Sequence, residues 1–167
     1  MDNLKKRGMT MGLPRTFIGF SSTDIHYYRL MQAWKQNERI DFHFTDCQLH
    51  SEIDSENEAY IKRRCRERIN MAGYYIMLIG EDTRYKHKYV RWEAEVAKEK
   101  GCTIIGVNLN KSRSFDNERT PAVIKNIGAV FVTLHPKIIK YALENYKMKD
   151  SGDYVYKDSL YQELGIV

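Results

Sequence analysis

The chain has 167 residues, of which 43% are hydrophobic and 29% charged, with a formal net charge of +5 and a pI near 9.0. That length is one domain, or one domain with a short appendage, and it buries enough core to need no disulfide or metal staple. The composition excludes a disordered chain, a collagen-like repeat and a cysteine-rich secreted scaffold, and no apolar run approaches the roughly 20 residues of a membrane span.

Cys47, Cys65 and Cys102 stand at unrelated spacings. They fit a reducing, cytoplasmic compartment and carry no metal signature. Residues 1–14 have charges but no apolar h-region, so a flexible lead-in is expected there and not a secretory signal. The basic excess admits an anionic partner such as nucleic acid, a nucleotide or a membrane surface. Positive charge gathers at residues 5–15, 62–68 and 84–91, and negative charge at 52–58.

Thr16 to Phe20 is an apolar run that ends in Ser21-Ser22-Thr23-Asp24, a strand followed by a polar turn. Thr23 or Asp24 is expected to cap the helix that follows. In that helix Tyr27, Leu30, Met31 and Trp34 share one face. Ile40, Phe42 and Phe44 alternate with polar residues and predict a short second strand. Residues 46–54 read as a loop. Ser55 and Glu58 form a capping-box pattern before a helix with Ile61, Cys65, Ile69 and Ala72 on one face. The other face of that helix is Lys62, Arg63, Arg64, Arg66 and Arg68.

Tyr74 to Ile79 is apolar without alternation, the mark of a strand buried on both faces. A polar connector, 81–88, leads to a helix over 89–100, with Gly101 as its stop. Thr103 to Leu109 is another buried strand, and 110–120 a hydrophilic loop. Pro121 suits the first turn of a short helix reaching Ile127. Ala129 to Leu134 is a fifth strand. Pro136 opens a helix that buries Ile138, Ile139, Ala142 and Tyr146. The tail from Lys147 is polar until Leu160, Tyr161 and Leu164, a short docked helix.

Strands alternating with helices predict an α/β fold of the flavodoxin-like class, a central five-stranded parallel sheet with helices on both faces. The domain spans 15–146, with 147–167 as a C-terminal appendage. Ligands in such sheets sit at the carboxyl ends of the strands. That directs attention to the loops 21–24, 45–54, 81–88 and 110–120.

The turn after the first strand lies where backbone N–H groups hold anions, yet neither G-x-G-x-x-G nor G-K-[ST] occurs. It reads equally as an ordinary capped helix start. A phospho-acceptor receiver would use Asp24 and Asp82, but the second carboxylate of the first turn and the late lysine are missing. His26, His43, His50, His87 and His135 are scattered and form no i, i+4 pair. In the helix over 89–100, Glu95 has pairing partners at helical spacing in Arg91 and Lys98. Glu93 differs, because it stands beside Trp92 and one turn from Tyr89, near the helix start. A glutamate there is either part of a solvated face or a partly desolvated, positioned carboxylate of the kind that serves glycoside chemistry.

Phe17-Ile18-Gly19-Phe20-Ser21-Ser22-Thr23-Asp24 resembles the first box of the TIR (Toll/interleukin-1 receptor) domain. Leu78-Ile79-Gly80-Glu81-Asp82-Thr83, then Tyr89-Val90-Arg91-Trp92-Glu93, then Ile104-Ile105-Gly106-Val107-Asn108-Leu109 resemble the TIR-like family of bacterial Thoeris anti-phage systems. The resemblance implies an enzyme that cleaves the nicotinamide–ribose bond of NAD and makes a cyclic or conjugated ADP-ribose-derived signal. It places the catalytic glutamate at Glu93. The motif's leading aromatic, often Trp, is Tyr89 here. Phe20 and Tyr89 are the expected stacking residues and Ser21 a polar contact. Asp46 and His50 lie where family members carry a loop over the site. NAD is substrate, and no cofactor or metal is expected.

The resemblance further implies self-association through the TIR domain and a separate effector reached by a diffusible nucleotide. The alternative is a non-catalytic TIR-like adaptor acting by TIR–TIR association, with the basic helix 62–68 as its interface. No aromatic-interleaved basic stripe supports nucleic acid, and no partner membrane is expected. A dianionic dinucleotide approaching Lys86, Lys88 and Arg91 accounts for part of the positive charge.

Overall fold

The computed structural model describes residues 14–46, 58–85 and 87–167. Six parallel strands form one sheet: β1 (Arg15–Gly19), β2 (Thr45–Asp46), β3 (Tyr74–Ile79), β4 (Thr103–Asn108), β5 (Ala129–Thr133) and β6 (Asp153–Val155). Their order is β2-β1-β3-β4-β5-β6, so the chain reverses its direction of travel between β1 and β3. The helices are α1 (Ile25–Gln36), α2 (Glu58–Asn70), α3 (His87–Lys100), α4 (Pro136–Asn145) and α5 (Asp158–Glu163). The flavodoxin-like α/β class expected from the sequence is the observed one, with a sixth strand added. Among the described residues no helix is long and apolar enough to cross a membrane.

The sheet separates two apolar cores because successive strand residues face opposite ways. Ile18, Ile76, Leu78, Ile105, Val107, Val130 and Val132 pack with Tyr28 and Met31 of α1 and with Ile138, Ile139, Ala142 and Leu143 of α4. Phe17, Tyr75, Met77, Ile79, Ile104 and Phe131 pack with Ile69 of α2 and with Val90, Ala94, Val96 and Ala97 of α3. β3 and β4 are buried almost throughout, which is why their sequences show no alternation. α3 ends where Gly101 takes a left-handed φ of 83°.

The alternation at Ile40–Phe44 yields burial without a strand. Phe42 and Phe44 are buried, but the Ile40 N–H donates to Asn37 O at 3.0 Å and the Phe42 N–H to Ile40 O at 3.0 Å. Those local turns take the backbone groups a ladder would need, and pairing with β1 is confined to Thr45 and Asp46. Ser21, and not Thr23 or Asp24, supplies the cap, because a single 3₁₀ turn (Ser22–Asp24) precedes α1. Within α1, Tyr28 and Met31 are the buried positions and Leu30 is exposed. The helix expected up to Ile127 is one 3₁₀ turn (Ala122–Ile124), cut short before the left-handed Asn126 and Gly128. α4 buries Ile138, Ile139 and Ala142 as expected and Leu143 besides, while Tyr146, just past the helix end at Asn145, is partly buried against the first core. Ser55 lies outside the described residues.

The segment 147–167 joins the sheet. β6 extends β5, and α5 brings Tyr161 into the first core. The Thr133 N–H, beyond the reach of β6, donates to the Tyr161 hydroxyl at 3.2 Å. Removing that acceptor alone leaves a buried donor unpaired. Tyr161→Phe is therefore expected to cost about 1–2 kcal/mol, and Tyr161→Ala about 3–5 kcal/mol through the added cavity. Urea unfolding of the three proteins checks both values.

Candidate active site

α3 follows β3 after a tight turn. The Thr83 hydroxyl accepts from the Gly80 N–H at 2.8 Å and donates to Leu78 O at 3.2 Å, which fixes the chain as it leaves the sheet. The helix that starts at His87 then carries Glu93 on its second turn, facing the second core. Glu93 is half-buried. Its Oε1 accepts from the hydroxyl of Tyr75, on β3, at 3.4 Å. Tyr75 is fully buried and stacks on Phe17 of β1, with ring centroids 6.2 Å apart.

This pair fits because Gly19, the last residue of β1, has no side chain. A Cβ there would overlap the Tyr75 hydroxyl and come within 2.8 Å of Glu93 Oε1. A glycine inside a strand often marks such a close approach. From α2, the half-buried Cys65 completes the surroundings and is electrostatically coupled to Glu93.

Burial disfavours the charged carboxylate and pushes the Glu93 pKa up to about 8, against a smaller opposing effect of the Tyr75 hydrogen bond. The same surroundings push the Cys65 thiol up to about 11, through burial first and Glu93 second. Tyr75 is raised well above the ordinary phenol value by burial and then by Glu93, so it stays a proton donor.

Trp92, next to Glu93 in sequence, and Tyr89, one turn before it, stand on α3. Their rings meet edge to face at 5.4 Å, and Tyr89 remains 44% exposed. The Lys62 Nζ lies 3.8 Å from the Trp92 ring centroid. Arg91 Nε is 3.2 Å from Glu95 Oε2. Lys86 and the side chain of Lys88 lie outside the described residues.

The other expected contacts are placed elsewhere. Phe20 stacks on Tyr28 at 5.0 Å, over the sheet face opposite Tyr75. Ser21 is buried, with its Oγ 3.0 Å from Thr23 Oγ1. The Asp46 carboxylate accepts from the Tyr28 hydroxyl at 2.6 Å and from Gln32 Nε2 at 2.7 Å, which ties it to α1. His50 lies outside the described residues. Glu93 and Tyr89 thus share a helix face, while Phe20 and Asp46 belong to the far side of the sheet. Gly19, Tyr75 and Cys65 are neighbours of Glu93 that the sequence reading did not single out. The glycine interrupting an apolar strand was the available signal for the first.

A separate cleft of about 470 Å³ opens at the carboxyl ends of β1, β3 and β4, lined by Thr23, Asp24, Tyr27, Gly80, Asp82 and Arg119. There the Thr23 hydroxyl donates to the Asp82 carboxylate at 2.9 Å, linking the β1 and β3 turns. Burial and then Asp82 raise the pKa of Asp24. Among the described residues no group of His, Cys, Asp and Glu is arranged to hold a metal ion.

Residues 17–114 match the family model described as Thoeris protein ThsB, TIR-like domain. The chain belongs to the Thoeris ThsB TIR-like family. The matched stretch runs from β1 to the loop after β4, and it contains Gly19, Tyr75 and Glu93. No curated protein matches this Thoeris TIR-like chain. Among solved structures it is similar to the CMP N-glycosidase BcmB of Clostridium botulinum, with 12% identity, a TM-score of 0.43, and coverage of 78% of this chain and 96% of that one. It is also similar to a conserved protein from Enterococcus faecalis V583, with 14% identity, a TM-score of 0.46, and coverage of 92% and 98%.

The raised pKa of Glu93 has a consequence for stability. The folded state holds this proton to higher pH than the unfolded chain does, so stability falls as pH rises from the ordinary glutamate range through about 8. Glu93→Gln removes that loss. At pH 9 the variant is expected to melt at least about 4 °C above the wild type, at the 2–4 °C per kcal/mol typical of this chain length. At pH 5 the two should melt alike. Thermal unfolding across pH checks both points.

Proposed function

We propose that this Thoeris TIR-like protein is a cytoplasmic enzyme that cleaves the nicotinamide–ribose bond of NAD and forms an ADP-ribose-derived signal, cyclic or conjugated, in anti-phage defence. The observation that carries the reading is the half-buried Glu93 carboxyl, held between Gly19, Tyr75 and Cys65 at the start of α3. Membership of the Thoeris family supplies the biological setting.

The chemistry asks for one carboxylate. As the C1′–N1 bond of NAD breaks, its electron pair goes to the pyridinium nitrogen, and nicotinamide leaves as a neutral molecule. No general acid has to protonate it. Positive charge then develops on the ribosyl carbon and ring oxygen, and a nearby carboxylate in a poorly solvated site stabilises it. The cation is captured by water or a hydroxyl, which passes its proton to solvent as the new C–O bond forms, or by the lone pair of a ring nitrogen. Tyr89, exposed and one turn before Glu93, presents an aromatic face for stacking. The product signal would act on a separate effector.

The carboxylate form of Glu93 is the active one in this scheme. kcat/KM for NAD is therefore expected to climb with pH through about 8, the value of the free protein. Glu93→Ala should reduce turnover by about a hundredfold or more, the scale of losing one stabilising group at the reaction centre. The assay is NAD consumption by the purified protein, alone and with extract of phage-infected cells, with products identified by mass spectrometry. Turnover that survives Glu93→Ala unchanged would overturn the assignment.

A further inference from the structure

We propose that Tyr75 is the positioning residue of this site, its hydroxyl reaching through the gap left by Gly19 to hold Oε1 of Glu93 and leave Oε2 for the substrate. The inference rests on the NAD-cleaving reading and extends it to a residue of the sheet.

Tyr75 stands on β3 among hydrocarbon. Phe17, Met77 and Ile79 share its face of the sheet. A phenylalanine would serve that core equally well, because a buried hydroxyl costs free energy unless it finds a partner. The hydroxyl of Tyr75, with the side chain fully buried, has Glu93 Oε1 as its hydrogen-bond partner among the described residues. The Oε2 atom of Glu93 takes no hydrogen bond from a described residue. The pair is therefore asymmetric among the described residues: one carboxylate oxygen is anchored to a central strand and the other is not.

Gly19 is the second half of the device. Its position opposite Met77 in the β1–β3 register brings the end of β1 across the line between the phenol and the carboxyl. Any side chain there would separate them. A glutamate on a helix has three rotatable side-chain bonds, and fixing one oxygen removes most of that freedom before substrate arrives. Displacing a reacting group by about 1 Å can cost about a hundredfold in rate.

Among the described residues the titratable groups facing Glu93 are Tyr75 from β3 and Cys65 from α2, while β1 contributes Gly19 and no charge. Losing the hydroxyl removes the hydrogen bond that favours the carboxylate, so ionisation of Glu93 moves to higher pH.

The test compares wild type, Tyr75→Phe and Ile79→Val. Ile79→Val thins the same core face without touching the carboxylate. In Tyr75→Phe, kcat for NAD is expected to fall about tenfold to a hundredfold with KM nearly unchanged. The acidic limb of kcat/KM should move up by about half a pH unit or more. Ile79→Val should lose stability but keep the wild-type pH profile.

A second measurement does not depend on turnover. The side-chain carboxyl of Glu93 is titrated by carbon-13 NMR in wild type and Tyr75→Phe, its signal assigned by its absence in Glu93→Gln. An upward shift in Tyr75→Phe supports the anchoring contact. Equal titration curves, or an equal kcat, overturn the positioning role. If NAD is not consumed by any of the proteins and the NMR shift is nonetheless present, the contact stands and the NAD reading falls.

Discussion

A carboxyl group held partly out of water against a parallel sheet is the constraint around which this structure is arranged. Glu93 gains nothing for stability by being there, since burial opposes its charge and, among the described residues, no basic side chain is one of the groups that shift it. What tolerates it is a set of accommodations from three elements. β1 ends in a glycine, β3 places a phenol in the core, and α2 closes the side with Cys65. Each is a small departure from what a purely structural core would choose. Departures of that kind cluster at functional sites, where packing elsewhere has to compensate.

The fold supplies the compensation. β3 and β4 pair over their whole lengths, and both faces of β3 are covered. The carboxylate is therefore set against the most firmly held part of the molecule. The helix that carries it is oriented by Thr83, whose hydroxyl bridges Gly80 and Leu78 before α3 begins. The reversal of strand order between β1 and β3 brings the Gly19 end beside the turn that launches α3. Crevices at such reversals are where sheets of this class bind ligands. The 470 Å³ cleft with Asp24 and Asp82 lies at the same reversal, above the strand ends.

What could be read from the sequence follows from how local each signal is. The unbroken apolar runs of β3 and β4 announce burial on both faces, and Gly101 announces the end of α3, because each depends on neighbours in the chain. The alternation of Ile40, Phe42 and Phe44 revealed which side chains are buried but not whether the backbone pairs, since local turns competed for the same hydrogen-bonding groups. β6 was invisible for a different reason. Its residues, Asp153 to Val155, form no apolar run. The strand is docked through the backbone of Gly128 and Gly152 and through Asn126, which accepts from the Gly152 N–H at 2.8 Å. At the site, Glu93 stood out by its aromatic neighbours. Tyr75 did not, because inside an apolar run a tyrosine looks like any large core residue until its hydroxyl is seen to meet a carboxylate 18 positions away.

The charge balance is sharpened by the same geometry. Three basic residues on and beside the active helix are engaged with other groups: Lys62 over Trp92, Arg91 with Glu95, and Arg66 with Glu99 at 3.5 Å. None of them is aimed at Glu93. A lysine or arginine beside that carboxyl would ionise it permanently and lower its pKa. It would also repel a positively charged ring and the cation that forms when the ring departs. With no counter-ion to Glu93 among the described residues, a cationic N-glycoside brings the charge that ionises it. On that argument Lys62, Arg66 and Arg91, each engaged elsewhere, are kept apart from the one carboxylate that has to meet a cation.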